Sequence, residues 1–180
     1  MKKENSVLYI LRLTVTLLLI CAAVAAVLAV VNSITKGPIA EIQAEKTRNA
    51  ISVVLPGAGD VEEMVLSGDT GIVNAVYTSE KGYAVEVAPG GFDGEITMMV
   101  GVADGKVTGI SVISHTETPG LGAVAAASNA KGEAFRSQFV GQSGQLAVGD
   151  QIDGMSGATI TSKAVVAGVN AALEYVENLG

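Results

Sequence analysis

Apolar residues fill residues 13–31 without a charge, then fall into a helical period, then into a period of two, and finally back into a helical one. The first run is about 19 residues long, enough for a helix to cross a bilayer. From Thr35 on, Ile39, Ile42, Ala50, Val53 and Val54 recur near helical spacing. Pro38 suits a first turn and Pro56-Gly57 a stop, which predicts a second helix over 35–57. Period two then predicts strands over 61–66, 72–78, 82–87, 94–103 and 106–114. Lys81-Gly82 marks one turn, and Asp104-Gly105 marks another whose residues both tolerate positive φ. Strands joined by such short turns pair antiparallel. A polar loop over 115–122 follows, then predicted helices over 123–129 and 133–140 and a strand edge at Ala147-Val148. The final helix is expected to begin near Ser162. Val165, Val169, Leu173 and Val176 form its apolar stripe, Glu174 and Glu177 face water, and Gly180 ends it. The pattern divides the chain into 1–34, an N-terminal tip and membrane span; 35–57, a connecting helix; and 58–180, a domain.

Composition sharpens the first of these. Hydrophobic residues make up 49% of the 180 and charged ones 16%, and the apolar excess sits at the front. Lys2, Lys3 and Arg12 precede the run, so the positive-inside rule places the N-terminus in the cytoplasm and the domain outside. Ala22, Ala23, Ala25 and Ala26 resemble a signal-peptide cut site, but apolar residues continue to Val31, as in an uncleaved anchor. Ile20 before Cys21 does not suit a lipoprotein signal. A single cysteine excludes an internal disulfide and a cysteine-based metal or iron–sulfur site. The net charge of −7 and the lack of a basic stripe argue against nucleic acid as a partner. No Gly-x-Gly-x-x-Gly follows a strand, so no motif here binds NAD.

The candidate chemistry lies in two stretches. Asp153-Gly154-Met155-Ser156-Gly157-Ala158-Thr159-Ile160-Thr161-Ser162 crowds glycines and hydroxyls before the last helix. Glycines allow close approach of the backbone, and a helix start offers free amides and a positive dipole end, a seat for phosphate. The alternative is a plain helix start capped by Thr161 or Ser162. The second stretch, Glu117-Thr118-Pro119-Gly120-Leu121-Gly122, combines polar groups with backbone freedom, and without more it reads equally as a surface Ω-loop. His115, the only histidine, reads as a packing or hydrogen-bonding group. Arg136 reads as a solvated helix residue, an acid's partner or a group approaching a ligand. Met98 and Met99 face opposite sides of a strand as core.

The first stretch resembles the Asp-Gly-x-Ser/Thr-Gly-Ala-Thr flavinylation motif of the FMN-binding domain family. The second agrees with it, followed by Phe135-Arg136-x-Gln138-Phe139-Val140-Gly141. Together they are similar to the G subunit of the Rnf ferredoxin:NAD oxidoreductase and the C subunit of the sodium-pumping NADH:quinone oxidoreductase, over nearly the whole chain. The resemblance implies an α+β fold, an antiparallel sheet with packed helices, preceded by one N-terminal transmembrane helix. It implies that an FMN transferase moves FMN from FAD onto Thr159 as a phosphoester. Ser156, Gly157 and Ala158 would shape the phosphate turn, with Thr161 beside it. Glu117 and Thr118 would meet the polar edge of the flavin, Gly120 would let the chain lie flat, and Leu121 would wall its apolar edge. The chain would then carry electrons in an Rnf complex with other membrane subunits, in the cell membrane, with either Na⁺ or H⁺ as the pumped ion. A freestanding anchored flavoprotein serving extracellular acceptors is the alternative. A hydrolase built on Ser156, His115 and an aspartate lacks a nucleophile elbow.

Overall fold

The computed structural model describes residues 6–66 and 70–179. Lys2 and Lys3 of the flanking charges, and Gly180, lie outside the described residues. One helix, α1, runs through Ser6–Val54 with Pro38 inside it, so the break expected at Thr35 is absent. Thr35 does not cap a new helix: its hydroxyl donates to the carbonyl of Val31, 2.9 Å away, within the same helix. A window of this helix has a mean hydropathy of 2.8 and none of it is buried, so α1 is long and apolar enough to cross a membrane. From Lys46 on, the chain forms a compact unit that includes the last turns of α1.

Five strands build that unit: β1 Glu62–Met64, β2 Val73–Ser79, β3 Gly82–Val87, β4 Thr97–Ala103 and β5 Lys106–Ser114. They pair antiparallel in the order of the chain. Asp104 (φ 52°) and Gly105 (φ 70°) make the β4–β5 turn, as Asp-Gly chemistry requires. β1 is shorter than expected, since Val65 is 94% exposed and leaves the ladder. β4 begins at Thr97 rather than Gly94, because residues 94–96 pair with the 89–91 segment, the Gly91 amide donating to the Gly94 carbonyl and the Ile96 amide to the Pro89 carbonyl.

Both faces of the sheet are covered, and Met98 and Met99 in β4 are fully buried in separate cores. One face carries α3, Thr159–Glu177, through Val165, Val169 and Leu173, while Glu174 and Glu177 stay exposed. Between sheet and chain end lie a 3-10 helix, Gly122–Ala126, in place of the α-helix expected over 123–129, and then α2, Ala130–Ser137. α2 starts before the predicted 133 because Asn129 caps it, accepting from the amide of Gly132. Of the expected strand edge, one bridge remains, Val148 with Ile152.

The end of α1 rests on the other face, where Ala50, Ile51, Val54 and Leu55 pack with Ala84 and Met99. Gly101 and Gly109 face each other across β4 and β5 and leave room for it. A Cβ on Gly101 would lie 2.5 Å from the Val54 carbonyl oxygen. The Thr108 hydroxyl donates to that same oxygen, and the Lys81 ammonium donates to the Pro56 carbonyl, 3.2 Å away, so the helix end is capped by the sheet. Strand propensity alone favours valine over glycine. Gly101→Val should nevertheless destabilise the domain by about 1–3 kcal/mol, because the seat of α1 is filled. Denaturant unfolding checks the sign; a stabilised variant would mean that α1 does not pack there.

Candidate functional site

The motif residues 153–162 form a tied turn and a helix start. Gln138 holds the entry: its Oε1 accepts from the Asp153 amide at 2.7 Å and its Nε2 donates to the Asp153 carbonyl at 3.3 Å. The Ala158 amide then donates to the Met155 carbonyl at 3.0 Å, closing a four-residue turn with Gly157 at φ 75°. Only glycine takes that conformation without strain. α3 begins at Thr159, three residues before the expected start, and Ala158 at its N-cap contributes no side-chain bond. The first bond of the helix ladder runs from the Ser162 amide to the Ala158 carbonyl, 2.9 Å. The amides of Thr159, Ile160 and Thr161 therefore stand outside the ladder at the positive end of the dipole. Ser162 is buried, and its hydroxyl bonds back to the turn instead of capping a later helix start.

The loop after β5 is organised by Glu117, which is 5% exposed. Its Oε1 accepts from the amides of Phe92 (2.7 Å) and Asp93 (3.3 Å), and its Oε2 accepts from the Thr161 hydroxyl (2.5 Å). Burial disfavours the charged carboxylate. The Thr161 hydroxyl, the Asp93 and Phe92 amides and the nearby His115 outweigh that, and the group titrates below its ordinary value. Gly91 and Gly122 are glycine for lack of space, since a Cβ on either would collide with a Glu117 carboxylate oxygen. One carboxylate thus joins the 91–93 loop, the 117–122 loop and the first turn of α3.

Between these pieces lies a cleft of about 330 Å³, lined by Phe92, Glu117, Thr118, Leu121, Gly122 and residues 157–161. The two stretches singled out in the sequence therefore meet: a Cβ on Gly157 would lie 3.2 Å from the Leu121 side chain. Thr159 is exposed on the cleft wall, whereas Thr161 is 1% exposed with its hydroxyl committed to Glu117. Ala158 is buried and Ser156 exposed, the latter outside the lining. Thr118 serves through its carbonyl, which accepts the amides of Leu121 and Ala123. Gly120 has φ 78° with open space around it, so a side chain there meets backbone strain and no clash.

His115 does not line the cleft, and its Nδ1 is buried with no partner among the described residues. Arg136 donates to the Ala125 and Ala127 carbonyls and caps the 3-10 helix. Two residues to which the sequence pattern assigns no role belong here. Phe92, 67% exposed beside the cleft, is signalled only by its place between Gly90-Gly91 and Gly94. Gln138 is signalled only by its place in the segment from Phe135 to Gly141.

The cleft falls within the usual range of ligand pockets, about 300–1,000 Å³. Free helix-start amides at one end suit a phosphate, and Phe92, Leu121 and Ile160 offer an apolar wall. Comparison with known proteins agrees. Over 94% of its length the chain is 33% identical to the G subunit of the Na(+)-translocating ferredoxin:NAD(+) oxidoreductase complex of Acetobacterium woodii, covering 93% of that protein. The chain belongs to the G-subunit family of ion-translocating oxidoreductase complexes. Another member of the family is the G subunit of the ion-translocating oxidoreductase complex of Methanosarcina acetivorans, 34% identical over 93% of this chain and 94% of its own. A third is the G subunit of the proton-translocating ferredoxin:NAD(+) oxidoreductase complex of Clostridium ljungdahlii, 34% identical over 97% and 94%. Residues 91–174 match the FMN-binding domain family and residues 1–54 the RnfG N-terminal region. Every residue lining the cleft falls within the FMN-binding match.

Proposed function

We propose that this chain is the electron-transfer subunit of an Rnf-type ion-translocating ferredoxin:NAD oxidoreductase, carrying FMN joined through its phosphate to Thr159. The observation that carries the attachment is the contrast between two nearby hydroxyls. That of Thr159 is exposed at the helix start, beside three amides outside the ladder, while that of Thr161 is buried and donated to Glu117. A threonine hydroxyl is a weak nucleophile unaided, and the motif contains no base, so an external FMN transferase is required. The Thr159 oxygen would take the FMN phosphate from FAD, with AMP leaving and the hydroxyl proton passing to the transferase.

Once bound, the FMN would supply the redox chemistry. The chain's residues hold and shield it. The amides of Thr159, Ile160 and Thr161 favour the phosphate charge, and Gly157 lets the backbone approach it. Phe92, Leu121 and Ile160 present apolar surface to the ring, and Glu117 keeps the walls together through its three donors. A covalent tether retains a cofactor that would otherwise be diluted outside the cell. The partners are the other membrane subunits of the complex, and α1 anchors the chain in the cell membrane. The test is flavin fluorescence of this band on a denaturing gel together with co-purification of the membrane subunits. A fluorescent band that purifies alone would favour a freestanding flavoprotein.

The orientation follows from the basic N-terminal flank, with the N-terminus cytoplasmic and the domain outside. Ser143 is exposed in the domain. Ser143→Cys, in a chain whose Cys21 is alanine, should react with a membrane-impermeant maleimide in intact cells or spheroplasts. Reaction only after lysis refutes the orientation.

A further inference from the structure

We propose that Ser162 is the positioning residue of the modification turn, its hydroxyl setting the geometry in which Thr159 is presented for FMN transfer. This rests on Thr159 being the attachment point. Ser162 is fully buried and does not line the cleft. Its oxygen accepts from the Met155 amide at 2.9 Å and donates to the Ala158 carbonyl at 2.9 Å, so one hydroxyl ties both ends of the turn. The helix hydroxyls of Thr14 and Thr16 donate to the carbonyl four residues back and accept no bond from outside the helix among the described residues. Ser162 takes that bond and adds one from the segment before the helix. Thr159 follows the tied turn directly, so the position of its oxygen depends on where Met155 and Ala158 are held. The Ala158–Met155 backbone bond closes the turn upon itself but does not fix it to the helix. The ladder bond from the Ser162 amide to the Ala158 carbonyl holds the near end of the turn to the helix, and the Ser162 hydroxyl ties in the Met155 end from inside the fold.

The transfer forms a bond between the Thr159 oxygen and the FMN phosphorus of FAD and breaks the pyrophosphate bond to AMP. The hydroxyl proton goes to a base on the transferase. Such a displacement depends steeply on alignment, and a misplacement of about 1 Å costs about 100-fold in rate. Removing the Ser162 oxygen should therefore act on the turnover of transfer more than on recognition of the chain.

The experiment uses the full chain in detergent, free of flavin, with a purified FMN transferase and FAD. Covalent FMN is followed by in-gel fluorescence and intact mass, and melting is recorded in parallel. Ser162→Ala should lower kcat roughly 10–100-fold with KM little changed, and Ser162→Thr, which keeps the hydroxyl, should restore most of the rate. Val169→Ala, a core truncation remote from the turn, should lower the melting temperature yet react at the parent rate. Parent-like transfer in Ser162→Ala overturns the proposal. So does equal slowing in Val169→Ala, or a Ser162→Thr chain as slow as alanine. A parent chain that takes no flavin, or takes it at another residue by peptide mass, overturns the Thr159 reading itself and is recognised separately.

Discussion

Thr159→Ala should abolish covalent FMN, and Thr161→Ala should keep it while weakening the fold. Thr159 offers the exposed oxygen at the helix start, and its removal leaves nothing there to esterify. Thr161 is a different kind of residue. Its hydroxyl is one of the donors that stabilise the Glu117 carboxylate, and alanine would leave Oε2 buried and unpaired. That costs about 1–3 kcal/mol, more than the loss of an ordinary helix cap. Flavin fluorescence after denaturing electrophoresis, with peptide mass spectrometry over residues 153–163, separates the two. Flavin lost in Thr161→Ala and kept in Thr159→Ala would move the attachment by two residues. Flavin kept in both would place the attachment at neither threonine, and a parent band without fluorescence would end the covalent reading.

Glu117→Gln should cost about 1–3 kcal/mol at neutral pH, and the cost should shrink in acid. The folded carboxyl titrates below its ordinary value of 4.5, so the stability it contributes is complete above that value. The contribution is lost as the pH falls through the still lower folded pKa. In the amide variant one polar atom is a donor, facing donors already present at Phe92, Asp93 or Thr161. Urea unfolding of parent and variant at about pH 7 and about pH 4 and below tests this. A gap that stays constant down to the acid limit would show that the carboxylate charge is not what holds the loops.

The strands joined by tight turns are legible in the sequence: β3 and β5 start and stop where alternation and the Lys81-Gly82 and Asp104-Gly105 turns place them. So is the apolar stripe of α3. Its first residue is not. Thr161 and Ser162 carry the side chains of helix caps, yet one bonds to a carboxylate 44 residues away and the other to the turn before the helix. Local pattern cannot tell a cap from a hydroxyl facing inward. The bonds of Glu117 are illegible for the same reason. That residue stands out as a group for the flavin's polar edge, but the donors that occupy its oxygens come from Phe92, Asp93 and Thr161, all remote in sequence. The break expected at Thr35 rests on Pro38, and the helix absorbs that proline without stopping.

Each strand pairs with the one made just before it, so the sheet consists of short-range closures that a growing chain can complete early. The last helix closes over a longer range, since it must reach back across the chain to β3 and β4. One wall of the cleft and the whole turn before α3 arrive with that final closure. A transferase that reads the tied turn would therefore act as an inspector of finished molecules. Truncated or half-folded chains would stay unloaded, and no flavin would be committed to a polypeptide unable to take its place.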